Sequence, residues 1–231
     1  MGFRLSAIDV VIGHNGNTVA GNISFEIGPA ECIMLCGPNG AGKSTLMGTL
    51  AGVIPAVSGT IRTDGSAVLV PTRIPKVKGF TVKEFIKTGL SSRTDWLGRL
   101  PGRFERRMEE ALSLVGIRHL SDRDISTLSD GEFQKACAAS AVVREAGLIM
   151  LDEPTAFLDV DSRASVLRVL REICSDGLSV LFSSHDVHDA LNYSTRVFGL
   201  TSEGVFLDSG KDAGKESRGK ILSSCFASIS L

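Results

Sequence analysis

The chain has 231 residues, 43% of them hydrophobic and 22% charged, with a formal net charge of −1. That length can bury a sizeable core, and the near-neutral balance offers no basic field to make nucleic acid a main partner. The best apolar run, Ala136 to Val143, ends at Arg144 and Glu145 and falls short of the roughly 20 residues that cross a bilayer, so any membrane link is expected through a partner.

Residues 3–12 and 18–27 alternate as two strands around the turn Gly13-His14-Asn15-Gly16-Asn17. Met1-Gly2-Phe3-Arg4-Leu5-Ser6 matches an acylation pattern, but the same residues read better as the start of that first strand. No basic stretch followed by an apolar core opens the chain, so no signal peptide is expected. Cys32 to Cys36 is a short apolar strand that runs into a glycine-rich loop, followed by a helix from about Lys43 to Ala51. Short strands are expected at 59–63 and 67–70, then helical patterns at about 81–90 and 104–116 with basic residues between them. A helix (130–145), a strand (147–151), a helix (161–174), a strand (178–183) and a helix (186–192) follow. The last strands, 195–200 and 204–208, form a hairpin; Ser209 to Lys220 reads as a loop or frayed helix. This alternation is α/β with a mainly parallel central sheet. The five cysteines lack zinc spacing and lie mostly in apolar runs, so buried reduced thiols are expected.

The strongest local signal is Gly37-Pro38-Asn39-Gly40-Ala41-Gly42-Lys43-Ser44-Thr45, which satisfies G-x-x-x-x-G-K-[ST] between a predicted strand and helix. Backbone N–H groups of such a loop converge on phosphate oxygens, and the helix N-terminus adds a positive dipole end. Lys43 is expected to reach the β- and γ-phosphates of a nucleoside triphosphate, and Ser44 to ligate Mg²⁺. The buried strand Gly147–Leu151 ends in Asp152-Glu153, where Asp152 suits Mg²⁺ and Glu153 is placed to polarise the attacking water. Leu128-Ser129-Asp130-Gly131-Glu132 opens a helix. Ser129 and Glu132 form a capping box, and the open end at Gly131 can also hold an anion supplied by another subunit.

At these residues the chain resembles the ABC ATPase family, whose signature is Leu-Ser-Gly-Gly-Gln; here Asp130 and Glu132 depart from it, as in iron-siderophore, haem and cobalamin importers. The resemblance spans essentially the whole chain. It implies a P-loop NTPase core with an N-terminal antiparallel β subdomain and an inserted helical subdomain at about 73–145, all within a single nucleotide-binding domain, 1–231. Ala156-Phe157-Leu158-Asp159 resembles the loop that crosses the dimer seam in the family. Ser183-Ser184-His185-Asp186 resembles the switch-histidine segment, so His185 is expected to contact the γ-phosphate and orient Glu153. His188 and His119 are read as helix-surface residues.

Two family positions are altered. Thr72 stands where the resemblance implies a glutamine touching Mg²⁺, and Gln134 is the only glutamine in the chain. His14 stands near the usual adenine-stacking tyrosine, as a stacking imidazole or simply a turn residue. The resemblance implies a homodimer with each ATP between the P-loop of one subunit and Ser129 and Gly131 of the other. It also implies permease partners docked on the helical subdomain, where Trp96 is either an anchor or packing, and a peripheral place on the cytoplasmic face of the membrane. The cargo suggested is an iron-siderophore, haem or cobalamin. Alternatives are a non-transport ABC ATPase and a degenerate regulatory subunit.

Overall fold

The computed structural model describes residues 2–14, 17–90 and 101–226. The expectation for Trp96 lies outside them. Strands β1 (Leu5–His14), β2 (Asn17–Ile27) and β4 (Ser58–Thr63) form an antiparallel sheet in the order β2-β1-β4. The central sheet has the order β5-β6-β7-β3-β8-β9. It is made of β5 (Ala67–Val70), β6 (Leu148–Leu151), β7 (Ser179–Ser183), β3 (Cys32–Cys36), β8 (Arg196–Leu200) and β9 (Phe206–Asp208). All pairs are parallel except β8 with β9. Every residue of β3, β6, β7 and β8 is buried. That is why these strands read as continuous apolar runs, since helices or a second sheet cover both faces.

One core cluster joins one face of the central sheet to α2 (Val82–Thr88), α3 (Gly102–Leu114), α4 (Asp130–Val142), α5 (Val160–Ser175), α6 (Val187–Tyr193) and α7 (Lys215–Cys225). A second cluster packs the antiparallel sheet and α1 (Lys43–Leu50) on the other face. There Phe25 lies 4.6 Å from Phe198 and 5.4 Å from Phe206, ring centre to ring centre. Arg196 ties the C-terminal strands together from inside, donating to Glu31 Oε2 at 3.0 Å and to Asp208 Oδ1 at 2.9 Å.

The main departure from expectation is at the C-terminus. The segment read as a loop or frayed helix is loop only to Gly214, after which α7 runs to Cys225. Its apolar stripe is thin, and only Leu222 and Cys225 are buried. Packing on β8 and α6 holds it, and that packing has no local signal. All five cysteines are free and buried, as their apolar settings suggested.

Candidate nucleotide site

Three neighbouring strands of the central sheet, β6, β7 and β3, end at the same edge, with Leu151 opposite Phe182 and Leu35 opposite Ser183. In parallel α/β sheets this carboxyl edge is where ligands bind. Each strand here feeds one element of the candidate site.

β3 passes into the loop of Gly37, Pro38, Asn39, Gly40, Ala41 and Gly42, and α1 begins at Lys43. Gly42 caps the helix with φ 99°, and a Cβ there would lie 2.4 Å from Val19 Cγ1, so glycine is required. The first turn of α1, which includes Ser44 and Thr45, carries no acidic residue and no side-chain cap. Its N–H groups and dipole are open to an anion. Lys43 folds back and donates from Nζ to the carbonyls of Gly37 at 2.8 Å and Pro38 at 3.0 Å. Burial pulls its ammonium below the ordinary lysine range, opposed in part by the charges of Glu153 and Asp152. A phosphate at the loop would relieve that deficit of negative charge.

β6 delivers Asp152 and Glu153. Ser44 Oγ donates to Asp152 Oδ2 at 2.7 Å, and Ser183 Oγ donates to Asp152 Oδ1 at 2.7 Å. Ser183 Oγ also accepts from the Glu153 backbone N–H at 2.7 Å. Glu153 holds φ 51°, in the left-handed region, where non-glycine residues are uncommon. β7 then delivers His185, whose Nε2 meets Glu153 Oε1. Ser44, Asp152, Ser183, Glu153 and His185 thus form one connected polar chain across three strand ends.

Ser183 escaped the sequence reading. A serine two residues before a histidine carries no signal of its own, and only the alignment of β7 beside β6 brings it under Asp152. His188 is exposed, as expected of a helix-surface residue, and it lines the cleft of about 570 Å³ that also holds Glu153 and His185. His119 is exposed too.

The signature residues lie elsewhere. Ser129 caps α4, its Oγ accepting from Glu132 N–H at 3.3 Å while Glu132 Oε2 accepts from Ser129 N–H at 2.8 Å. The Ser129 N–H and the Ser129 hydroxyl hold Glu132 below the ordinary carboxylate range. Asp130 meets Lys76 Nζ at 2.6 Å, so the departure at that position has a local partner. Ser129 and Gly131 line a separate cleft of about 410 Å³ with Phe157 and Asp159, and no P-loop residue borders it. Thr72 lines a third cleft of about 560 Å³ between the β5–α2 segment and α4. Gln134 lines the same cleft, so the lone glutamine shares a cleft with Thr72 though it stands elsewhere in the chain. His14, exposed at the end of β1, lies two residues beyond Ile12, whose Cδ1 is 3.7 Å from the position a Gly42 Cβ would take.

The family model described as ABC transporter matches residues 20–156. The zinc import ATP-binding protein ZnuC of Cereibacter sphaeroides is 33% identical over 203 residues, covering 85% of this chain and 78% of that protein. The ferric enterobactin transport ATP-binding protein FepC of Escherichia coli is 28% identical over 211 residues, covering 85% and 78%. A solved metal-chelate type ABC transporter in an inward-facing conformation superposes with a TM-score of 0.85 at 24% identity, over 98% of this chain and 90% of that one. The chain belongs to the ABC transporter family and is an ATP-binding, ATP-hydrolysing subunit of that kind. A transporter's ATP-binding subunit implies a membrane-spanning permease as partner. Among the described residues no helix is long and apolar enough to cross a membrane.

Proposed function

We propose that this subunit powers import of a metal chelate, working as a homodimer in which each ATP lies between the P-loop of one protomer and the signature helix of its partner. The observation that carries the reading is the polar chain from Ser44 through Asp152, Ser183 and Glu153 to His185. Glu153 accepts the proton of the attacking water, and His185 orients Glu153 toward it. Lys43 and the N–H groups of Gly40 to Thr45 hold the phosphates.

Ser44 Oγ and the Asp152 carboxylate, 2.7 Å apart, are hard oxygen donors of the kind Mg²⁺ takes beside substrate phosphates, so these residues fit that ion. Thr72 would reach it through a bound water. Mg²⁺ bound there neutralises charge that builds on the phosphates. His14 stacks on the adenine, a role supported by its exposure at the end of β1, two residues beyond Ile12, which packs near Gly42.

The homodimer accounts for the placing of Ser129 and Gly131 in a cleft that no P-loop residue borders. It also accounts for Phe157, 84% exposed, and Val160, 68% exposed, beside the signature cleft; large apolar side chains in that position call for a covering partner. The metal-chelate cargo rests on the names of relatives: ferric enterobactin for FepC, petrobactin for FpuC of Bacillus anthracis and hemin for HmuV of Streptomyces coelicolor. A subunit of this kind sits on the cytoplasmic face of the membrane, held by its permease.

Glu153→Gln keeps the shape of the site and removes the base. Turnover should fall by roughly 10²–10⁴ with ATP binding retained, the range for loss of a general base. Hydrolysis near wild type in that variant would overturn the assignment.

A further inference from the structure

Cys36 is the last residue of β3, immediately before Gly37 of the P-loop. Its partner across the sheet is Gly199 on β8, on a strand about 4.8 Å away. A Cβ on Gly199 would lie 2.5 Å from Cys225 Sγ. Glycine at 199 therefore leaves room for the Cys225 thiol, carried by α7, to come against the sheet next to Cys36. Both thiols belong to one core cluster. Cys36 is fully buried, while Cys225, in the last turn of α7, keeps 7% exposure.

Lys43 acts on this pair as well. The neighbouring Cys36 thiol lowers the Cys225 thiol below its ordinary range, and the Lys43 ammonium lowers it further; the Cys225 thiol and burial raise Cys36. Cys225 is the more exposed of the two and so the one an oxidant meets first, and thiolates are the nucleophiles in sulfur chemistry.

We propose that Cys36 and Cys225 are a reversible disulfide site that couples oxidation by a peroxide to the state of the P-loop. The Cys225 thiolate attacks one oxygen of hydrogen peroxide and the O–O bond breaks. Hydroxide leaves, takes up the proton released by Cys225, and becomes water, with a sulfenic acid left on Cys225. The Cys36 sulfur then attacks the Cys225 sulfur and the S–O bond breaks, its proton and the departing hydroxide forming a second water. The two thiols give up two electrons and the peroxide is reduced.

The consequence for ATP follows from the distances. A disulfide brings the sulfurs to about 2.05 Å, closer than two unbonded sulfur atoms can approach, and so pulls on Cys36. Gly37 cannot follow freely, because a Cβ there would already lie 2.2 Å from Leu200 O. The Gly37 carbonyl also holds Lys43 at 2.8 Å. Strain at Cys36 therefore reaches the phosphate-binding lysine through one peptide unit. A second pair, Cys32 and Cys174, sits at the other end of β3; its Cys174 Sγ lies 3.4 Å from the Glu31 carbonyl, and neither thiol touches the P-loop. That pair is the internal control.

The effect on hydrolysis rests on the assignment of Lys43 to phosphate, whereas formation of the bond does not. The test treats the reduced full-length protein with graded hydrogen peroxide, maps disulfides by peptide mass spectrometry, and follows hydrolysis before and after dithiothreitol. A Cys36–Cys225 linkage should appear, with hydrolysis falling about 10- to 100-fold, as ångström-scale displacements at reacting centres do, and returning on reduction. Cys225→Ser and Cys225→Ala should keep basal activity and resist peroxide, while Cys174→Ser stays sensitive. Failure of the linkage to form overturns the proposal, as does equal inactivation of the Cys225 variants. A linkage with unchanged hydrolysis overturns the regulatory step. Negligible hydrolysis by the reduced protein would count instead against the assigned P-loop roles.

Discussion

Glu153 occupies a backbone conformation that costs a non-glycine residue of order 1–3 kcal/mol, and its N–H is held there by Ser183 Oγ. The same hydroxyl donates to Asp152, so one buried side chain sets two neighbouring carboxylates. Removing it leaves a donor and an acceptor without partners, which costs about 1–3 kcal/mol. Ser183→Ala should therefore lower Tm. It should also lower kcat far more than it raises KM for ATP, because the phosphate-holding loop is untouched. A variant with reduced Tm but wild-type kcat would make Ser183 a packing residue only. His14 has a simpler test. Its replacement by alanine should weaken ATP affinity measurably, and unchanged affinity removes the stacking role.

The β5–α2 segment carries the departure at Thr72, where the resemblance implies a longer side chain. In the proposed site a threonine hydroxyl would reach a metal-bound water only from a short stem, and Gln134 lines the same cleft from α4. Thr72→Gln should raise permease-stimulated hydrolysis while leaving the unstimulated rate nearly constant, measured with the partner reconstituted in lipid. Equal rates in both states would mark the position as neutral. Other elements differ in how openly they announce themselves. The capping boxes at Thr81–Glu84 and Ser129–Glu132 start α2 and α4, and the second is legible as a Ser-x-x-Glu pattern. α7 is not: it has few buried positions and gains its order from β8 and α6.

At the scale of the whole molecule, Ser129 and Gly131 line a cleft other than the one that holds Glu153 and His185. Two protomers would complete two sites. A subunit carrying Lys43→Ala and one carrying Gly131→Asp should each be inactive alone, since each loses a half-site. Mixed, they should regain hydrolysis, because the heterodimer pairs one intact P-loop with one intact signature helix. A mixture as inactive as its components would exclude that shared arrangement.

The order of elements, the P-loop, the Asp152-Glu153 strand end and the signature helix were all legible in the sequence. Each is a local pattern: a glycine spacing set by phosphate contact, a fully buried strand, a capping box. What only the tertiary structure decided is which distant residues share a neighbourhood. Ser183 reaches Asp152 because β7 pairs with β6, and Gln134 shares a cleft with Thr72. Cys225 meets Cys36 because Gly199 leaves a gap in the sheet surface. Such meetings depend on strand order and helix packing, which pair residues far apart in the chain, and no local spacing encodes them.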